Sequence, residues 1–301
     1  MVFKLTREGA YGYISILIAK SPNIITLSNI VEADESIDIE TAISKGFLNP
    51  GYSILTHVKK ISDVDNSINS FYRDVFNRLM DFMPNPYRVY VKYFVEVFDL
   101  DRVVSTFFSI DKSRLESKNT MGFLEPLIEY VIYGKKPPED LMQYVVCLDR
   151  ERKVLDTVKC LVEKYIGRVT QSLDQIAVFE SVTSSYGLFH MFSQLRLYRY
   201  IMNSKLLGEA KYVEYRYRIG KTVVPQTYVY KVGEFIEKLM DYAEKNPLMI
   251  NVYEYRFLHE LLDTLKYTPH SLIDRLTYFL INKYYEVPFI RYLALHSYKW
   301  C

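Results

Sequence analysis

Cysteine is scarce in this chain, and its three copies, Cys147, Cys160 and Cys301, form no Cys-x-x-Cys pair. That spacing excludes a zinc finger or ribbon and provides no disulfide framework, so a reducing, cytoplasmic setting is the expectation. Glycine is sparse too, eleven residues in 301. None gathers into a Gly/Ser-rich linker, so the segments are expected to pack as one body. A complete phosphate-binding loop is missing. The stretch YRYRIGKTVVP contains Gly220-Lys221-Thr222, but the motif's first glycine would fall at position 215, which is Tyr215. Val223, Val224 and Pro225 then begin no amphipathic helix. The five histidines (His57, His190, His259, His270, His296) include no pair three or four apart, the spacing of a helical metal site. His259-Glu260 resembles half of a metalloprotease helix, whose second histidine would fall at 263, where Asp263 stands. No Gly-x-Ser-x-Gly elbow occurs. Asp99-Leu100-Asp101 and Asp63-Val64-Asp65 do not build the aspartate cluster on one helix face that magnesium-diphosphate chemistry uses. No catalytic residue, metal or cofactor is expected.

Charge of one sign is lacking as well. The net charge is +2, which gives no basic footprint for nucleic acid over the chain as a whole. Apolar residues make up 49% and charged residues 25%, an ordinary balance for a chain that buries a sizeable core. The longest early apolar run, Ala10 to Ala19, is too short to span a bilayer and reads as a core helix. Glu8 and the absence of a small-residue cleavage site argue against a signal peptide. What is abundant is tyrosine, 28 residues against one tryptophan. Its apolar ring and polar tip suit half-buried interfaces between helices or protein chains.

Periodicity predicts an all-α fold. One helix is expected over Glu139–Ile166, after Pro137-Pro138, with Val158, Leu161, Val162 and Tyr165 on one face and Gly167 as its stop. Others are expected over Val232–Lys245 and Asn251–Tyr267, and a last helix starts with Ser271 capping toward Asp274. Thr227–Val232 has a short strand-like alternation, but the βαβ alternation of nucleotide folds is absent. Breaks are expected at Ser109–Asn119, at Gly134–Pro138 and at Gly220–Gln226.

A weak internal repeat runs through the chain. Three segments end a long aromatic helix alike: YFVEVFDLDRVVSTF, LRLYRYIMNSKLLGEAKYVEYRYR and YFLINKYYEVPFIRYL. Aligned on Asp99, Glu209 and Glu286, each carries an aliphatic residue four positions on, Val103, Val213 and Ile290. On these residues the chain resembles the C-type rotor component of archaeal-type (A-type) ATP synthases, the counterpart of the d-type component of vacuolar ATPases. That family repeats three times a long helix, then acidic-x-x-Asn-leucine and a basic residue. Here FDLDRVV has Arg102 in the asparagine place. GEAKYVEYRYRIGK has Tyr212 there and Arg218 in the place of the later arginine. YEVPFIRYLA has Phe289 there, followed by Arg291. YGYISILIAK resembles the family's opening helix, with Leu17 where a basic residue is common, and IDIETAISKGFLNPG resembles the short helices that follow.

The resemblance spans the whole chain and implies three related helical lobes arranged as a funnel, over residues 1–115, 116–224 and 225–301. It implies a central-stalk (rotor) component on the cytoplasmic face of the cell membrane, held there peripherally through the rotor ring. Its partners would be the membrane proteolipid ring and the central shaft subunits (D/F type), in a complex that couples proton or sodium transport to ATP synthesis. Neither nucleic acid nor a direct small-molecule ligand is implied. Asp99, Arg102, Glu209, Arg218, Glu286 and Arg291 are then repeat-motif positions of structural kind. Arg216, Arg218 and Lys221 would follow a helix C-terminus, where the dipole favours cations, and are the candidate contacts to acidic groups of a partner. The alternative is a helical nucleic-acid-binding module. LRLYRYIMNSK and KYVEYRYRIGK interleave arginine with tyrosine, as stacking and phosphate pairing require.

Overall fold

A computed structural model describes residues 5–57, 61–109, 120–149, 151–206, 235, 238–239, 249–266 and 271–296. The described residues contain helices and no strand, so the fold is all-α. The chain divides into two compact units, Met1–Pro84 with Glu237–Cys301, and Asn85–Ile236. Contact, not chain order, defines these units. The first and last stretches of the chain share one core in the first unit, so the units do not follow chain order.

In the first unit that shared core is built around a long C-terminal helix. The helices are α1 (Arg7–Lys20), α2 (Ile24–Glu32), α3 (Ile39–Ser44), a 3-10 turn over Pro50–His57, and α4 (Ile61–Phe82). Its last two described helices are α11 (Ile250–Lys266) and α12 (Leu272–His296). α12 packs against α1, α2, α3, α4 and α11. It is apolar on nearly every side, as a helix enclosed by others must be. Ser271 starts it, accepting from the Asp274 amide at 3.2 Å. α11 matches its expected span to within a residue at each end.

α1 turns Ala10, Ile14 and Ile18 into this core, and Thr6 caps its first turn. The helical stretch Arg7–Glu32 is long and apolar enough to cross a membrane by composition alone, with 44% of its most apolar window buried. Ser21, Pro22 and Asn23 interrupt it after α1, and Asn23 caps α2 through the Ile25 and Thr26 amides.

The second unit contains α5 (Tyr87–Phe94), α6 (Val97–Phe108) and α7 (Glu125–Tyr133), then α8 (Met142–Val145), α9 (Val154–Ile176) and α10 (Thr183–Leu206). α9 is its spine, packing on α5, α6, α8 and α10. Phe94 stacks on Phe192 at 5.5 Å between centroids, and Phe189 meets Tyr165 edge-on at 5.9 Å. α7 stops where a break is expected. Gly134 takes the left-handed conformation (φ 71°) that a side chain resists, and its amide returns to the Tyr130 carbonyl.

The single helix expected over Glu139–Ile166 is corrected. The segment is a 3-10 turn (Glu139–Leu141), α8, an irregular link and α9. α9 also runs through its expected stop. Gly167 sits on an exposed face with no atom within 4 Å of where a Cβ would stand, so tertiary packing of the opposite face carries the helix past it.

The reading of the cysteines is corrected with it. Cys147 and Cys160 form a disulfide with their Cα atoms 5.5 Å apart. In one continuous helix, thirteen residues would separate them by about 20 Å. Only the fold-back between α8 and α9 brings them together.

The expected helix Val232–Lys245 is described only at residues 235, 238 and 239, which are helical. The strand-like Thr227–Val232, the break at Gly220–Gln226 and most of the break at Ser109–Asn119 lie outside the described residues.

Candidate functional site

The repeat reading directs attention to buried acids at the ends of aromatic helices. Each unit contains one such carboxylate that gathers tyrosine hydroxyls and a basic side chain.

In the first unit the carboxylate is Glu286 of α12, which is fully buried. Its Oε1 accepts from the Tyr72 hydroxyl of α4 at 2.7 Å and from the Tyr52 hydroxyl of the 3-10 turn. Lys283, one helical turn earlier, donates to Oε1 at 2.9 Å and to Oε2 at 2.7 Å. It also donates to the Tyr52 hydroxyl at 3.2 Å. Lys283 is itself buried, so the pair is closed to water. Burial and the adjoining carboxylate hold both tyrosine hydroxyls protonated well above the usual tyrosine range. Next to it, Tyr285 donates to the buried Glu254 of α11 at 3.0 Å, and Tyr255 donates to Asn282 at 2.8 Å.

In the second unit the carboxylate is Glu96, between α5 and α6 and 1% exposed. Oε2 accepts from the Tyr144 hydroxyl of α8 at 2.7 Å, and Oε1 accepts from Arg168 Nη2 of α9 at 2.7 Å. Arg168 also donates to the Asp140 carbonyl and lies over the Tyr93 ring, 4.1 Å from its centroid. Burial pushes Glu96 up to about 7, against the opposing pull of Arg168 and Tyr144. The outer carboxylate, Asp140, pairs with Lys92 at 2.6 Å nearer solvent.

Asp99 has different surroundings. It is fully buried and accepts from the Met121, Phe123 and Leu124 amides at 2.7, 2.6 and 3.0 Å, fixing the entry to α7. Arg102 lies half-buried on α6. Arg291 of α12 pairs with Asp65 of α4 at 2.6 Å, both about two-fifths exposed, in a pair of modest worth. Glu209, Arg216, Arg218 and Lys221 lie outside the described residues.

The residue whose setting matches Glu286 is therefore Glu96, three positions before Asp99. The sequence carried a signal for it. Tyr93-Phe94-Val95-Glu96-Val97-Phe98 and Tyr284-Tyr285-Glu286-Val287-Pro288-Phe289 share Glu-Val with an aromatic two positions before the glutamate, while the second aromatic and the phenylalanine differ in register by one or more positions. The acidic-x-x-x-aliphatic register picked Asp99 instead. Arg168, Tyr144, Tyr52 and Tyr72 carried no local signal, because each reaches its carboxylate from a distant part of the chain.

Both nodes are buried, and each carboxylate ties together side chains from separate elements. Among the described residues no three metal-ligating side chains gather. His259 of α11 approaches Asp263 at 3.6 Å, and burial lowers His190 of α10 to about 4. No protein-family model, curated protein or solved structure matches the chain.

Proposed function

We propose that this chain is a non-catalytic rotor component of an archaeal- or vacuolar-type ATP synthase. In this reading it is a socket of three related lobes arranged as a funnel, seated on the membrane proteolipid ring and gripping the foot of the central shaft. The observation that carries the reading is the repeated node. Two helical units each close around a buried Glu-Val carboxylate with tyrosine and a basic partner. That recurrence supports an internally repeated chain, as the resemblance implies.

A torque-bearing coupler needs stiffness more than chemistry. Buried, hydrogen-bonded polar networks specify one packing and resist local slippage, and close-packed helices transmit strain. Seven tyrosines serve this end through their hydroxyls: Tyr52, Tyr72, Tyr144, Tyr165, Tyr186, Tyr255 and Tyr285 each reach a partner within their own unit. Arg216, Arg218 and Lys221 are proposed to meet acidic groups of the shaft or ring. Val178 and Phe179, 81% and 62% exposed at the turn after α9, are a proposed apolar contact.

The test is a pull-down of the purified chain with detergent-solubilised proteolipid ring and, separately, with the shaft proteins, with RNA as the third arm. The rotor reading expects retention on both ring and shaft through moderate salt. Binding to neither, together with RNA binding that falls steeply with salt, would replace it with the nucleic-acid reading.

A further inference from the structure

The first unit contains a cavity of about 620 Å³ where the corner between α1 and α2 faces α11 and α12. That volume falls within the range of small-molecule sites. Its charge is lopsided. Lys266 from α11 and Arg275 from α12 line it, with His259, against a single carboxylate, Asp263, which lies 3.6 Å from His259. The first residues of α2, at the positive end of the helix dipole, face the same space.

Arg275 marks the site most sharply. Its guanidinium lies over the Tyr11 ring, 4.5 Å from the centroid. Its Nε is buried with no hydrogen-bond partner, and no carboxylate pairs with the group among the described residues. A half-buried arginine without a counter-ion is unusual, because a desolvated charge is costly unless something neutralises it. Every other described arginine or lysine on this unit's α12 has one: Lys283 has Glu286 and Arg291 has Asp65. Apolar and aromatic side chains, Ile18, Phe279 and Tyr255, line the same cavity, and Tyr255 donates to Asn282 at 2.8 Å.

We propose that this cavity binds a small phosphate-bearing molecule, with Arg275 and Lys266 holding the phosphate and the aromatic wall holding a flat apolar body. A guanidinium offers paired donors that match phosphate oxygens, and an excess of basic groups favours a dianion. This departs from the expectation of no small-molecule ligand and does not depend on the rotor reading. The phosphate can belong to a soluble metabolite or to a lipid headgroup, and the test separates the two.

The experiment is isothermal titration of the full chain at low salt with inorganic phosphate, with AMP, and with phosphatidic acid in phosphatidylcholine vesicles. The proposal expects saturable binding of phosphate or AMP, weakened roughly ten- to hundredfold by Arg275→Gln. Arg275→Lys restores part of it, and Arg291→Gln, which breaks an unrelated ion pair, leaves it unchanged. Should Arg275→Gln fail to fold, Lys266→Gln reads the same loss. Binding to the vesicles alone, lost in Arg275→Gln, assigns the phosphate to a lipid headgroup; the proposal is overturned by no saturable binding of any of the three probes up to about 10 mM, or by equal binding to wild type and Arg275→Gln.

Discussion

Removing the Glu286 carboxylate tests whether the buried node holds the first unit together. Glu286 is fully buried and Lys283 is 5% exposed. Glu286→Leu leaves an ammonium group without its counter-charge and takes the acceptor from two tyrosine hydroxyls. Breaking a buried ion pair from one side costs about 3–5 kcal/mol, most of it from the stranded charge. The double variant Lys283→Met/Glu286→Leu removes both charges and keeps the volume. It is expected to lie within about 1 kcal/mol of wild type, since apolar replacement of a whole buried pair is often neutral. The double variant should therefore be more stable than Glu286→Leu alone by roughly 2–4 kcal/mol. Thermal unfolding followed by circular dichroism reads this as a loss of roughly 6–20 °C for the single variant, given about 2–4 °C per kcal/mol for a unit of this size. A single variant within about 1 kcal/mol of wild type, or a double variant no more stable than the single, would refute the reasoning.

Gly167→Ala is expected to stabilise the second unit by about 0.5–1 kcal/mol, because the glycine is helical, exposed and has room for a Cβ; a loss of stability by chemical denaturation would show the helix is strained there. Reduction of Cys147–Cys160, or Cys160→Ser, is expected to cost about 3 kcal/mol from the freed loop, read as a reductant-dependent melting temperature that the serine variant no longer shows. Glu96 gives a pH signature of definite sign. Its folded value is raised from 4.5 to about 7, so its contribution is fully present below about 4.5 and is lost as pH rises through about 7. Unfolding of wild type across that window should show a decline, on the order of 3 kcal/mol at most, that Glu96→Gln abolishes; an unchanged slope in Glu96→Gln assigns the decline to another group.

Local rules made much of the architecture legible. Helical periodicity placed α11, the Ser271 cap placed the start of α12, and Gly134 with its following prolines marked the end of α7. Each depends on residues within a turn or two of one another, so the linear pattern contains the whole cause. The failures share the opposite character. Gly167 reads as a stop by propensity, yet the buried Val169, Leu173 and Ile176 beyond it outweigh one glycine. Val146–Lys153 reads as helix by composition, yet the chain folds back there and closes a disulfide. The weak repeat led to the right helices but chose Asp99, whose oxygens serve three amides, over Glu96, whose oxygens serve Tyr144 and Arg168.

By itself the sequence determined the helical class, the span of α11, the start of α12 and the stop of α7, because backbone propensity, capping and amphipathic period act over a few residues. The tertiary structure alone decided that both ends of the chain share one core, which carboxylate becomes a node, that Cys147 meets Cys160, and that Arg275 lines a cavity with no counter-ion among the described residues. Those outcomes depend on groups far apart in the chain, whose meeting is set by packing and by the cost of leaving a buried charge unmatched.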